Sequence, residues 1–357
     1  MLVKKTNYFI RTSILLLSAF LVTVHSQIVE ETYVDLNYTE NVTNVGTSSA
    51  AFLEIGVGAY SQAMGGAFTA IANDVTALYW NPAGITQLSE VSLSVNYTEW
   101  LAGTAHEYFG VVIPFSGRFS AGFSVNALNY VDKQPVRTIQ LPGGTGEYYS
   151  ASDMALAATI AATITDKFSF GITAKYILQQ LWHESANATA IDVGVLYKTR
   201  IEGLQIGTTI ANYGSEMQLS GRDLRRAYDA DEAHYTNDRL NVLFETDQFP
   251  LPLLFRFGVA YSFTLMNHHQ FTVATDLNHP SNNVESLDMG MEWNYRQLIV
   301  GRVGYNSLFD DSSENGLSVG FGLTPRIGNS TRVGFNYAWS QWGLLGNVQR
   351  FSIELLF

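Results

Sequence analysis

Apolar and polar side chains alternate with a period of two through most of this chain from residue 90 onward. Over 168–178, Phe168, Phe170, Ile172, Ala174, Tyr176 and Leu178 share one face, while Ser169, Gly171, Thr173 and Lys175 share the other. Over 253–263, Leu253, Phe255, Phe257, Val259, Tyr261 and Phe263 oppose Arg256, Gly258, Ala260 and Ser262. Over 331–339, Val333, Phe335, Tyr337 and Trp339 oppose Arg332, Gly334 and Asn336. Successive side chains of an extended strand point to opposite sides, so each run reads as a strand with one apolar face. The pattern predicts 14 strands, near 90–98, 104–114, 117–128, 153–165, 167–178, 188–198, 203–212, 253–264, 269–278, 285–295, 298–306, 314–325, 330–341 and 346–357. Most have roughly the 9–12 residues that a tilted strand needs to cross a bilayer, against ~5–6 in soluble sheets. Short links at 114–117, 165–167, 198–203, 264–269, 295–298 and 325–330 contrast with the long links 129–152 and 213–252. Short turns at one end and longer loops at the other are the signature of a membrane barrel, and an even strand count puts both ends of the barrel at the short-turn, periplasmic side.

The polar face decides between a soluble sandwich and a membrane barrel. It is rich in Gly, Ser, Thr and Ala, with isolated charges at Lys175, Asp192, Arg256, Asp276, Asp288, Glu292, Arg302, Arg332 and Glu354. The apolar face gathers aromatics near strand ends, among them Trp293, Tyr295, Trp339, Trp342 and Phe357, where interfacial girdles sit. The expected fold is therefore all-β: a transmembrane antiparallel β-barrel of about 14 strands over 89–357, with an N-terminal plug segment. The last strand carries Phe351, Ile353, Leu355 and Phe357 on one face. This alternating tail ending in Phe resembles the recognition tail of barrels assembled into the bacterial outer membrane.

The first 26 residues read as an address. Lys4, Lys5 and Arg11 precede the apolar stretch 14–24, and Val24-His25-Ser26 offers a cleavage site before Gln27. That stretch is too short to cross ~30 Å of hydrocarbon, so a secretory signal peptide over 1–26 is expected, with a bilayer as the destination of the rest. Composition narrows the remaining chemistry. With 0 Cys there is no thiol nucleophile, disulfide or thiolate metal site. A net charge of −12 disfavours nucleic acid, whose phosphates need clustered Lys and Arg. Residues 27–50 are polar and read as a periplasmic lead. Residues 51–88 are rich in small side chains and carry the turn Asn81-Pro82-Ala83-Gly84, as suits an element folded inside a barrel mouth.

The string from Met64-Gly65-Gly66-Ala67 to Asp74, continued by Ala77-Leu78-Tyr79-Trp80-Asn81-Pro82-Ala83-Gly84, resembles the N-terminal signature of the PorV/PorQ family, itself related more distantly to the FadL-type long-chain fatty acid transporters. Further matches are 194–197, 210–214, Pro250-Leu251-Pro252 leading to Arg256-Phe257-Gly258, 274–277 and 301–305. The resemblance implies a plugged 14-stranded outer-membrane barrel. It also implies, for members that serve the type IX secretion system, binding of secreted cargo proteins or secretion-system subunits.

No catalytic set stands out, and neither an enzyme activity nor a cofactor is expected. His268 and His269 are adjacent on an extended chain and point apart, which makes a poor metal pair. The glycine-rich 143–146 lacks the Lys and Ser/Thr of a phosphate loop. Among the inward charges, Arg256 with Asp276, and Arg302 with Asp288 or Glu292, are expected to pair and hold the plug, since a lone buried charge is costly. The candidate for function is loop 213–252, whose charges interleave with Tyr228, Tyr235, Leu240, Val242 and Phe244 and form an expected partner-binding surface. Three readings follow: a protein-binding secretion component, which the long loops of mixed polarity favour; as the alternative, a FadL-like channel for hydrophobic solutes gated by 51–88; and, behind both, a barrel with a structural role alone.

Overall fold

The computed structural model describes residues 44–229, 240–265, 268–310, 313–327 and 331–357. The signal segment 1–26 and most of the lead lie outside the described residues. Fourteen long strands make one antiparallel sheet: β1 (Ser92–Glu99), β2 (Ala105–Ser116), β3 (Phe119–Pro135), β4 (Tyr148–Thr165), β5 (Phe168–Leu181), β6 (Glu184–Lys198), β7 (Leu204–Gly214), β8 (Leu254–Leu265), β9 (His269–Pro280), β10 (Ser286–Tyr295), β11 (Ile299–Leu308), β12 (Leu317–Leu323), β13 (Thr331–Gln341) and β14 (Asn347–Leu356). Each pairs with its sequence neighbour, and β1 pairs with β14 from Ser92↔Leu356 to Glu99↔Gln349. The sheet is thus closed and has no free edge, which removes the unpaired N–H and C=O rows that hydrocarbon cannot satisfy. Phe357 follows the last strand; its N–H donates to the Val91 carbonyl at 2.9 Å, beside the closing seam.

The predicted faces hold in direction. On β5, Phe170 and Tyr176 are exposed and Ser169, Gly171, Thr173 and Lys175 are buried. Val95, Phe109, Phe123, Ile160, Phe257, Val273, Met289, Val303, Phe321 and Ile353 are all exposed, and they are spread around the whole barrel. A water-soluble surface does not carry an apolar belt of that extent, whereas a bilayer requires it. The polar side faces inward and encloses the core.

The strands β3 to β6 reach well beyond the ends that the alternation suggested. β3 continues to Pro135 and β4 begins at Tyr148, so only a tip is left of the expected 129–152 loop. β5 and β6 are joined by a tight turn at Trp182–His183, with Trp182 at φ 55. Beyond the lipid, both faces of a strand meet water or loops. Apolar alternation then stops while the backbone ladder continues.

Of the expected lead, residues 44–50 are described. Residues 44–50 lie at the long-loop end: the Ser49 N–H donates to the Pro250 carbonyl at 2.9 Å, and Asn44 Nδ2 to the Ser281 carbonyl at 3.4 Å. They sit at the opposite end from the short turns. The chain descends from that mouth through 51–88 and reaches the start of β1 at the short-turn end.

Candidate functional site

Residues 51–88 fold inside the barrel as short helical turns, Ala51–Glu54, Ala59–Ala63, Ala77–Trp80 and Pro82–Gln87. Phe68, Val75, Leu78 and Ile85 are fully buried there, among many Ala and Gly. Small residues let this segment lie directly on the wall. Gly65 and Gly66 have φ +67 and +85, and a Cβ on Gly65 would stand 2.5 Å from the β11 backbone at Tyr305 N. On the wall, Gly171 and Gly194 face each other across β5 and β6, and a side chain on either would strike Pro82. Gly84 approaches the Ala72 backbone equally closely.

Polar groups secure the segment where apolar packing runs out. Asn81 Nδ2 donates to the Thr69 carbonyl at 2.9 Å and to Val195 of β6 at 3.0 Å, while its Oδ1 accepts from Ala83 N at 3.1 Å. That last bond caps the turn that Pro82 opens, where proline's fixed φ suits the first helical position. Asp276 of β9 accepts the Phe68 and Thr69 N–H groups on one oxygen, at 2.9 and 2.8 Å. Ser352 of β14 accepts the Ala59 N–H at 2.8 Å.

The inward charges pair differently from expectation. Arg256 makes no ion pair with Asp276 among the described residues. Its guanidinium stacks 4.9 Å from the Trp80 ring and 5.3 Å from Tyr79, both on the luminal segment. The register explains this, because Arg256 stands opposite Asn278, and Asp276 opposite Gly258. Arg302 pairs with Glu292, directly opposite on β10, at 2.8 Å, and donates to Asn336 Oδ1 at 2.7 Å. Its guanidinium also lies 3.7 Å from the Tyr60 ring, so this pair does hold the segment. Asp288 is not its partner. It accepts from Ser307 N at 2.9 Å and Asn278 Nδ2 at 2.8 Å. Ser307 has φ 52 beside a register shift between β10 and β11. Asp192 plays the same part at the shift between β6 and β7, accepting from Asn212 N at 2.7 Å where Asn212 has φ 64. At both bulges an inward carboxylate takes the backbone N–H that the ladder drops. Sequence reasoning passed over Arg350, which is 1% exposed, donates to Ser340 Oγ at 3.1 Å and lies 5.5 Å from the Trp100 ring.

The 213–252 loop is only partly the surface expected. Arg225–Tyr228 and Leu240–Leu243 form a short antiparallel ladder, with Tyr228 opposite Leu240 and Arg226 opposite Val242. Tyr228, Leu240 and Phe244 are exposed and Val242 is half-buried. Tyr235 lies outside the described residues. A clamp ties the loop's first turn to the β5–β6 turn: His183 Nδ1 and Asp223 Oδ2 are 2.7 Å apart, Arg222 Nη2 donates to His183 Nε2 at 2.7 Å, and the Asp223 N–H donates to Glu184 Oε1 at 2.9 Å. The His183 hydrogen bond, aided by the Arg222 charge, holds the Asp223 carboxyl below the usual carboxylate range.

Beneath the loop's inner part, at the long-loop end, lies a cavity of about 680 Å³. Leu181, Ala186, Met217, Leu219 and Phe249 give it an apolar wall. Ser49 of the N-terminal segment and Asp153, Gln179 and Tyr130 of the strands close one side. No alternation signal could have found it, because β5 and β6 carry it above the lipid and the loop completes it. A more polar cavity of about 500 Å³ at the same end includes Glu54, Arg256, Asp288 and Arg350. A third, of about 420 Å³, opens at the short-turn end around Asp74, Glu292, Arg302 and Glu354. Residues of 51–88 line both of these polar cavities. No group of His, Asp and Glu among the described residues is placed to hold a metal ion. At the short-turn end, His269 Nδ1 accepts from Trp293 Nε1 at 3.0 Å.

Neither family models nor curated proteins match the sequence. Solved structures do match the fold. The Ralstonia pickettii toluene transporter TbuX aligns with a TM-score of 0.52 at 13% identity, over 84% of this chain and 97% of that one. The Pseudomonas putida toluene transporter TodX gives 0.51 at 13% identity, over 84% and 96%. A Pseudomonas aeruginosa FadL homologue gives 0.48 at 12%, over 82% and 95%. At such identities the likeness to the two toluene transporters shows a shared barrel fold alone. The kinship to PorV and PorQ expected from residues 64–84 has no family match behind it.

Proposed function

We propose that this chain is a barrel of the bacterial outer membrane that admits hydrophobic solutes, with the apolar cavity under loop 213–252 as its binding site. The observation that carries the reading is that cavity: about 680 Å³, walled by Leu181, Met217, Leu219 and Phe249 and placed at the mouth of a membrane barrel. Ligand sites are concave, mostly apolar and fitted with few polar groups, as this one is. The fold shared with two toluene transporters supports the same reading. The luminal segment is buried inside the barrel, between the polar cavities at its two ends. A role in secretion, with cargo docked on the outer loop, draws no support from the comparisons, and it is the outcome tested against transport.

The full chain in lipid nanodiscs is expected to bind the uncharged fluorophore N-phenylnaphthylamine. Leu219→Trp, which fills the cavity from a loop residue outside the barrel wall, is expected to weaken binding at least about tenfold, the scale set by losing most of one apolar contact surface. Host cells lacking the chain should take up a labelled alkylbenzene more slowly while still displaying their exported proteins. Unchanged uptake with lost display would overturn the reading in favour of secretion.

A further inference from the structure

Among the described residues, the cavity's charged groups are of one sign. Its lining among the described residues holds two carboxylates, Asp153 and Asp247, and no Lys, Arg or His. Asp153 is 4% exposed, on the inward face of β4. Tyr130 Oη donates to its Oδ2 at 2.7 Å and Gln179 Nε2 donates to the same oxygen at 3.0 Å. No cation pairs with it among the described residues, whereas Asp192 has Lys175 at 2.6 Å and Glu292 has Arg302 at 2.8 Å. Asp276 and Asp288 are also held by neutral donors alone, but Asp153 is the one of the three that lines the apolar cavity. Two neutral donors crowd one oxygen of Asp153 and hold the group facing an apolar space. A carboxylate buried among apolar side chains gains most from a partner that brings a positive charge with it.

We infer that the cavity selects solutes with an apolar body and a cationic head, of the alkylammonium or arylalkylammonium class, the ammonium donating to Asp153 while the body packs on Met217, Leu219 and Phe249. Charge-assisted N–H···O bonds formed away from water are about twice as strong as neutral ones, so the head adds to what the apolar wall supplies. The same geometry turns away carboxylates, which would meet Asp153 and Asp247 with like charge and no donor to offset it. The inference rests on the proposed role of this cavity as the hydrophobic-solute site.

The test compares octylamine, octanoate and octan-1-ol with the full chain in nanodiscs of uncharged lipid at neutral pH, read by calorimetry. Octylammonium is expected to bind at least about tenfold more tightly than octanoate, with the alcohol between them. Asp153→Asn keeps an oxygen for Tyr130 and Gln179, and it is expected to erase the preference while leaving the alcohol unchanged. Octanoate binding as well as octylammonium would overturn the inference, and the ranking on the unaltered chain needs no variant. A preference that survives Asp153→Asn would overturn it too. Alcohol bound without any charge preference removes this inference alone. Alcohol that does not bind at all removes the hydrophobic-solute reading beneath it.

Discussion

Gly65 stands where the chain cannot accept a side chain. Its φ of +67 is a region that costs an L-residue about 1–2 kcal/mol, and its missing Cβ leaves the room in which Tyr305 N and Met289 O approach. Valine there adds overpacking of a further ~1–3 kcal/mol. Gly65→Val is therefore expected to lower the yield of folded barrel, measured as the fraction that migrates faster on a gel before boiling. Gly117, with open space around its Cβ position and no positive φ, is the matched control. Gly117→Ala should leave migration and yield unchanged, and equal losses in both variants would show that packing of the luminal segment is not responsible. The dipeptide Gly65-Gly66 was legible as small and close-packed. That it leans on β11 was not, since sequence spacing says nothing about which strand stands opposite.

At the scale of the element, the loop after β7 is tethered where it begins. The clamp of His183, Arg222, Asp223 and Glu184 joins the turn Arg222–Leu224 to the β5–β6 hairpin and so positions the start of the cavity's cover. Because the Asp223 carboxyl titrates below its unfolded value, its contribution is present above about pH 4 and is lost as pH falls through the lower folded value. Hydrogen exchange of residues 222–228 should accordingly be slow and constant from pH 7 down to about pH 5, once corrected for intrinsic rates, and faster below about pH 4. Asp223→Asn should show the faster exchange already at neutral pH. Equal protection in both proteins at pH 7 would mean that the tether does not order the loop. Alternation in β5 and β6 was readable over the lipid-facing part. The clamp residues lie in the polar extensions above it, where no periodic signal remains.

For the molecule as a whole, closure and filling are separable. The ladder from β1 round to β14 uses no residue of 51–88, whereas the lumen is occupied by that segment. A chain lacking 51–88 keeps a wall of Gly, Ser, Thr and Asn that water can solvate. It is expected to remain a heat-modifiable barrel with a lower unfolding midpoint, and to conduct ions across a planar bilayer where the full chain does not. A deleted chain that folds and stays electrically silent would show that the lumen is closed by something other than the segment. Loss of all folded protein would show that the segment is needed for closure itself.

Period-two patterning over 168–178, 253–263 and 331–339 determined the strand number, the order of short and long links and the side of each strand that meets lipid. These features depend only on neighbours along the chain and on the low polarity of the bilayer. The small residues of 51–88 likewise marked an element that must pack closely. Pairing among charges belonged to the tertiary structure, because it turns on register. A shift of two positions put Asn278 rather than Asp276 opposite Arg256 and left Asp276 to hold the luminal backbone. The cavity with Asp153 was likewise decided only in three dimensions. Its lining comes from β3–β6, from Ser49 and from both ends of a long loop, and no spacing in the sequence brings Tyr130, Asp153, Gln179 and Met217 to one place.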